Sequence, residues 1–117
     1  MDGRIRKLLD VMDRELDRPI ELADLASSVR LSPSRMRALF KREIGDTPSR
    51  YLRRQRLERA RLLLFRSELS VKEVMTMVGL SDQSHFVRNF EQSFGLSPSR
   101  YRVASCNSDR ADAPIGQ

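Results

Sequence analysis

Residues 34–51, SRMRALFKREIGDTPSRY, lie over residues 84–101, SHFVRNFEQSFGLSPSRY, at an offset of 50. Seven of the eighteen positions are identical: Ser34/Ser84, Phe40/Phe90, Gly45/Gly95, Pro48/Pro98, Ser49/Ser99, Arg50/Arg100 and Tyr51/Tyr101. The preceding segments also align, residues 20–32 over residues 69–81 at an offset of 49, so one extra residue separates the two blocks in the second copy. An internal repeat of this density means that one supersecondary unit occurs twice.

The punctuation around the repeat says what that unit is. Ser32-Pro33, Thr47-Pro48 and Ser97-Pro98 each place a hydroxyl cap before a proline at the first helical position. Ser70-Val71-Lys72-Glu73 has capping-box spacing, and Gly45, Gly79 and Gly95 stand where helices should stop. Ile5, Leu8, Leu9, Met12 and Leu16 recur at helical period, predicting a first amphipathic helix over residues 4–16, closed by Arg18-Pro19. Further helices are predicted over residues 22–29, from Pro33 to about Gly45, from about residue 47 to 65, from Val71 to Gly79, from Ser81-Asp82 to Gly95, and from Pro98 through Arg102. The fold expected is all-α: seven helices in two helix-turn-helix subdomains, about 4–46 and about 70–103, joined by a long linker helix. From Ala104 the composition turns polar and aperiodic, predicting a disordered tail over residues 104–117.

Composition agrees and narrows the function. Among 117 residues there are 5 Gly, 5 Pro and no Trp, which suits helices better than a turn-rich sandwich or barrel. The formal charge is +6, carried mostly by arginine, and residues 35–66 hold eleven basic side chains against Glu43, Asp46 and Glu58. A solvated helix face would account for such a run by itself, but arginine's planar fork also suits phosphates and base edges. Cys106 is the single cysteine, which excludes an internal disulfide or a cysteine zinc site and reads as an incidental thiol. No signal peptide is recognisable and no apolar run approaches the roughly 20 residues of a bilayer span, so the expectation is a reducing cytoplasm with no membrane contact.

Short helix, tight turn and second helix form the DNA-binding helix-turn-helix arrangement. Two such units joined by a basic helix can address successive major-groove segments about 34 Å apart. In the third helix Met36, Leu39, Phe40 and Ile44 make an apolar stripe, leaving Ser34, Arg37, Ala38 and Lys41 outward at i, i+3, i+4, i+7. Arg37 can contact guanine bidentately, Ser34 and Ala38 permit close approach to bases or a thymine methyl, and Lys41 is placed for a phosphate. In the sixth helix Phe86, Phe90 and Phe94 turn inward while Gln83, Ser84, Val87 and Arg88 face the groove with His85 beside them. Arg35, Arg53, Arg54 and Arg100 are further phosphate candidates.

Catalysis finds no support. His85 is the only histidine, and Asp82 and Ser84 lie in its own turn without an oxyanion or orienting motif. The chain is therefore not expected to be an enzyme or to carry a cofactor or metal. Met75 and Met77 read as core filler.

These stretches resemble the DNA-binding domain of the AraC/XylS family across residues 3–103. The resemblance is carried by Gly79-Leu80-Ser81-Asp82-Gln83-Ser84-His85-Phe86, by Arg88, Phe90, Phe94-Gly95 and by Leu96 through Arg102. Residues 56–64, RLERARLLL, resemble the linker helix, and Leu31 to Met36 with Leu39-Phe40-Lys41 the first recognition helix. It implies seven helices, asymmetric promoter sites, contact with RNA polymerase and, most often, activation. It also supports, by position, base contacts from Ser34, Arg37, Ala38, Gln83, Ser84, His85, Val87 and Arg88.

This sequence departs from the pattern where Met75 matches the small Ala26, which predicts altered packing in the second unit, and where Glu91 matches Lys41. Residues 32–46 carry a net +2 and residues 81–95 a net −1, so the first unit is expected to supply most affinity and the second register. Family members are usually longer, with an effector or dimerisation domain that residues 1–19 and the tail cannot supply. An isolated domain is expected to be monomeric, and a longer protein to dimerise elsewhere. The rival readings are a helical protein-interaction module with an acidic partner, and a nonspecific nucleic-acid binder.

Overall fold

The computed structural model describes residues 1–104, which form seven helices and no strand. They are α1 (Gly3–Arg14), α2 (Leu22–Ser28), α3 (Pro33–Ile44), α4 (Pro48–Arg66), α5 (Val71–Met77), α6 (Gln83–Phe94) and α7 (98–104). Ala104, assigned to the tail by the sequence, belongs to α7; the rest of that tail, with Cys106, lies outside the described residues. Two compact units divide the chain, Met1–Arg56 and the part from Leu57 onward. The boundary falls inside α4, so the basic helix is no free-standing connector: its first half belongs to one unit and its second half to the other.

Every helix except α2 starts where a side chain accepts one of its orphan amides. Ser32 Oγ accepts the Arg35 N–H at 3.2 Å and Asp82 Oδ1 the His85 N–H at 3.0 Å. Thr47 Oγ1 accepts from Arg50, and Ser97 Oγ from Arg100, each at 3.3 Å. At α5 the capping box is complete: Glu73 N–H donates to Ser70 Oγ at 3.0 Å and Ser70 N–H to Glu73 Oε1 at 2.9 Å. These bonds hold the Glu73 carboxyl below its ordinary pKa.

The turns of the two repeats match bond for bond. After α2, the Leu31 N–H reaches Ala26 O at 3.0 Å and the Arg30 N–H reaches Ser27 O at 3.0 Å. After α5, Leu80 reaches Met75 O at 2.9 Å and Gly79 reaches Thr76 O at 3.2 Å. This is the Schellman pattern, which needs a left-handed residue just past the helix. Gly79 meets that need at φ +76°, whereas Arg30 adopts φ +59° with a side chain. An L residue pays roughly 1–2 kcal/mol in that region, against about 0.5–1 kcal/mol of extra chain entropy for glycine. Arg30→Gly is expected to raise the urea midpoint by the equivalent of about 0.5–1 kcal/mol at unchanged slope. A lower midpoint would mean that the Arg30 side chain contributes more to the fold than its backbone costs.

The first core is built by Ile5, Leu8, Met12, Leu16, Leu25, Ala26, Val29, Met36, Phe40 and Leu52. Helix α1 stops two residues before the predicted Leu16, which stays buried beyond its end. The second core is built by Leu57, Ala60, Leu64, Val74, Met75, Val78, Phe86 and Phe90. Leu57, Ala60 and Leu64 repeat the i, i+3, i+7 spacing of Ile5, Leu8 and Met12 at an offset of 52. The second half of α4 thus does for its unit what α1 does for the first, and the repeat extends to the covering helix. Met75 replaces Ala26 without changing the turn: both are buried, at 4% and 1% exposure. Met77 is a correction to the sequence reading. It is 50% exposed, because it lies about 200° round the helix from Met75.

Tyrosine closes each core in the same way. The Tyr51 ring meets Phe40 edge-on at 5.5 Å between centroids, and Tyr101 meets Phe90 edge-on at 5.5 Å. In the second unit Phe86 and Phe94 extend this into a four-ring cluster around the fully buried Phe90.

Candidate nucleic-acid interface

Helix α3 buries Met36 and Phe40 against α1 and α2, half-buries Leu39 and Ile44, and leaves Ser34, Arg37, Ala38 and Lys41 exposed. The spacing that buries two residues dictates this: at 3.6 residues per turn the four exposed positions fall on the opposite face. Arg37 and Lys41 have no side-chain partner within the described residues. The Gly45 N–H bonds to Lys41 O at 2.8 Å in a left-handed C-cap.

Helix α6 repeats the plan. Phe86 and Phe90 are buried, Gln83, Ser84, His85 and Arg88 are exposed, and Val87 is half-buried. The Asp82 carboxylate caps the helix through the His85 N–H, and the His85 ring lies 3.4 Å from Asn89 Nδ2. Among the described residues no hydroxyl bonds the imidazole and no group of three His, Cys, Asp or Glu could hold a metal ion. Glu91 is exposed where the first unit has Lys41.

The basic run divides into two populations that its sequence does not distinguish. Arg56 turns into the first unit: Nε donates to Leu16 O at 3.2 Å and a terminal nitrogen to Arg18 O at 2.6 Å. Its burial lowers the guanidinium below the usual arginine pKa. Arg102 does the same for the second unit, donating to Leu64 O at 3.2 Å and Ser67 O at 3.3 Å. Each arginine satisfies carbonyls in the last turn of the unit's covering helix or just past it, where acceptors lack intrahelical partners. Arg61 pairs with Glu58, donates to the Tyr101 hydroxyl at 3.1 Å and sits 5.8 Å from the Phe94 ring centre. That pair raises the Arg61 pKa and holds the Glu58 carboxyl below its ordinary value.

Of the phosphate candidates, Arg35, Lys41, Arg53 and Arg100 are exposed and unpaired among the described residues, while Arg54 lies 3.6 Å from Asp46. The sequence reading did not single out Arg4, exposed on α1 beside α3, or Arg42, exposed on α3 itself. Arg42 shares a flank of α3 with Arg35 at i+7, whereas the signal of Arg4 lay in tertiary proximity and not in the helical period.

A family described as "Helix-turn-helix domain" matches residues 25–104. The Arabinose operon regulatory protein of Escherichia coli K12 is 34% identical over 116 residues, covering 98% of this chain and 39% of that protein. The "Probable transcriptional regulator LumQ" of Photobacterium leiognathi is 35% identical over 91 residues, covering 78% of this chain and 37% of its own length. The chain thus spans under two fifths of the curated relatives it matches. Among solved structures, the DNA-binding domain of AdpA, crystallised with a target DNA, superposes with a TM-score of 0.86 at 26% identity, covering 98% of this chain and 100% of that one. An AraC-type DNA-binding regulator from Chromobacterium violaceum gives 0.80 at 27% identity, over 87% and 91% of the two chains.

Proposed function

The chain belongs to the AraC-type helix-turn-helix family, whose members are DNA-binding regulator domains and not enzymes, and from that premise we propose that it reads a specific promoter with two recognition helices. Helix α3 enters one major-groove segment and α6 the next, on one face of the duplex, about one helical turn away. Arg37 reads guanine, Ser34 and Ala38 allow close approach to the bases, and Gln83, Ser84, His85, Val87 and Arg88 read the second element. Arg35, Lys41, Arg53, Arg54 and Arg100 hold the phosphates.

The observation that carries this reading is the matched exposure of the two helices: α3 buries Met36 and Phe40, α6 buries Phe86 and Phe90, and each turns its predicted contact residues to solvent except the half-buried Val87. The activity is that of a cytoplasmic activator working through RNA polymerase, with dimerisation, where it occurs, residing in a further domain. No helix among the described residues is long and apolar enough to cross a membrane.

Selection from a randomised duplex pool, followed by anisotropy titration at two salt concentrations, tests the proposal. Two enriched blocks about one helical turn apart are expected. Salt-sensitive binding without enrichment would leave only a nonspecific binder, and absence of duplex binding would favour a protein-interaction module.

A further inference from the structure

One flank of α3 is occupied by neither the core nor the outward stripe. Arg35 and Arg42, at i and i+7, lie about 100° round the helix from the centre of the Ser34, Arg37, Ala38, Lys41 stripe. Their side chains have no hydrogen-bond or ion-pair partner among the described residues. A notch of about 350 Å³ opens beside them, lined by Arg4, Leu31, Arg35, Ala38, Leu39 and Arg42.

The third cation, Arg4, comes from α1 and is held in place. Its Nε and a terminal nitrogen donate to the Asp2 carboxylate at 3.3 and 3.2 Å, and its N–H donates to the same carboxylate at 2.9 Å. The Asp2 N–H in turn donates to Glu43 Oε1 at 2.7 Å, tying the start of α1 to the last turn of α3. Half of the Arg4 side chain remains exposed. The fold does not require this arrangement, because the second unit lacks it. Arg35 and Arg42 are matched there by His85 and Gln92, and the residue at the repeat position of Arg4 is Arg56, which is the last of the first unit and is committed to that unit's main-chain carbonyls.

We propose that the notch seats a backbone phosphate of the strand flanking the groove that α3 enters, with Arg4, Arg35 and Arg42 as its donors. The proposal rests on the duplex-binding reading above. A helix fills a major groove about 12 Å wide, so residues a quarter turn from its base-reading stripe meet the sugar-phosphate wall. Guanidiniums suit phosphate oxygens bidentately, and the apolar floor of Leu31, Ala38 and Leu39 suits deoxyribose carbons. Ala38 belongs to both the stripe and the notch, so seating the phosphate fixes the depth at which α3 reads bases.

The test is anisotropy titration of the full chain against its selected duplex and a random one, at several salt concentrations. Arg4→Gln and Arg42→Gln are each expected to weaken both duplexes roughly three- to tenfold. Each should also make the dependence of log K on log[salt] shallower by about 0.9, without altering the selected sequence. Arg4→Lys should retain the wild-type slope, since it keeps the charge. Where Arg4→Gln lowers thermal stability through the loss of its Asp2 pair, Arg42→Gln, which breaks no bond, decides. Unchanged affinity and slope in Arg42→Gln, with the wild type binding its selected duplex, would overturn the notch. A changed preferred sequence with intact slope would overturn it too, by making the residue a base reader. Failure of the wild type to bind any duplex would instead remove the parent reading.

Discussion

Phe90→Ala is expected to unfold the second unit while leaving the first folded. Phe90 is fully buried and packs edge-on or tilted against Phe86, Phe94 and Tyr101 within 5.7 Å between ring centres. Replacing such a ring costs about 3–5 kcal/mol, through lost transfer energy and the cavity left behind. Only eight buried residues make up that core, and a whole domain is stable by only about 5–15 kcal/mol. Hydrogen exchange should therefore show amides from Leu57 onward losing protection while those of α1, α2 and α3 keep theirs. Salt-dependent duplex binding should persist, since Arg35, Arg37, Lys41 and Arg42 all lie in the intact unit. Two-block sequence preference should disappear. Equal loss of protection in both halves would show that the cores are not independent, and wild-type protection throughout would show that the aromatic cluster matters less than its burial implies.

Arg37→Ala should weaken binding to the selected duplex by about 1–3 kcal/mol, roughly five- to 150-fold, and relax preference at one base position. The side chain is exposed and unpartnered, so truncating it removes no bond within the fold. Arg88→Ala should cost less. Arg88 sits on a helix whose neighbouring exposed charge is Glu91, whereas Arg37 is flanked by Arg35 and Lys41. Titration of both variants against selected and random duplexes checks the order: equal losses, or a larger loss for Arg88→Ala, would overturn the division of affinity between the units.

The architecture was legible in the sequence because its signals are local. Ser32, Thr47, Ser70, Asp82 and Ser97 each cap the helix that the sequence predicts, since a hydroxyl or carboxylate three residues before an amide needs no tertiary partner to find it. The exposed stripes of α3 and α6 follow from helical period once Phe40 and Phe90 are known to be buried.

What escaped the sequence depends on meetings at a distance. Arg56 looks like any other cation of the basic run and Arg102 like the nearby Arg100, yet both bond carbonyls 35 to 40 residues away, and Arg61 bonds Tyr101 40 residues away. Net charge cannot distinguish an arginine facing solvent from one bonded to a helix end. Arg4 joined Arg35 and Arg42 only because Asp2 meets Glu43 across 41 residues. The likeness of α1 to the second half of α4 was hidden as well, since Ile5, Leu8 and Met12 share spacing but no identity with Leu57, Ala60 and Leu64. Periodicity and caps, which act within a turn or two, determined the helices and their outward faces. Packing, which joins residues dozens of positions apart, decided where α4 divides and which arginines keep their side chains in solvent.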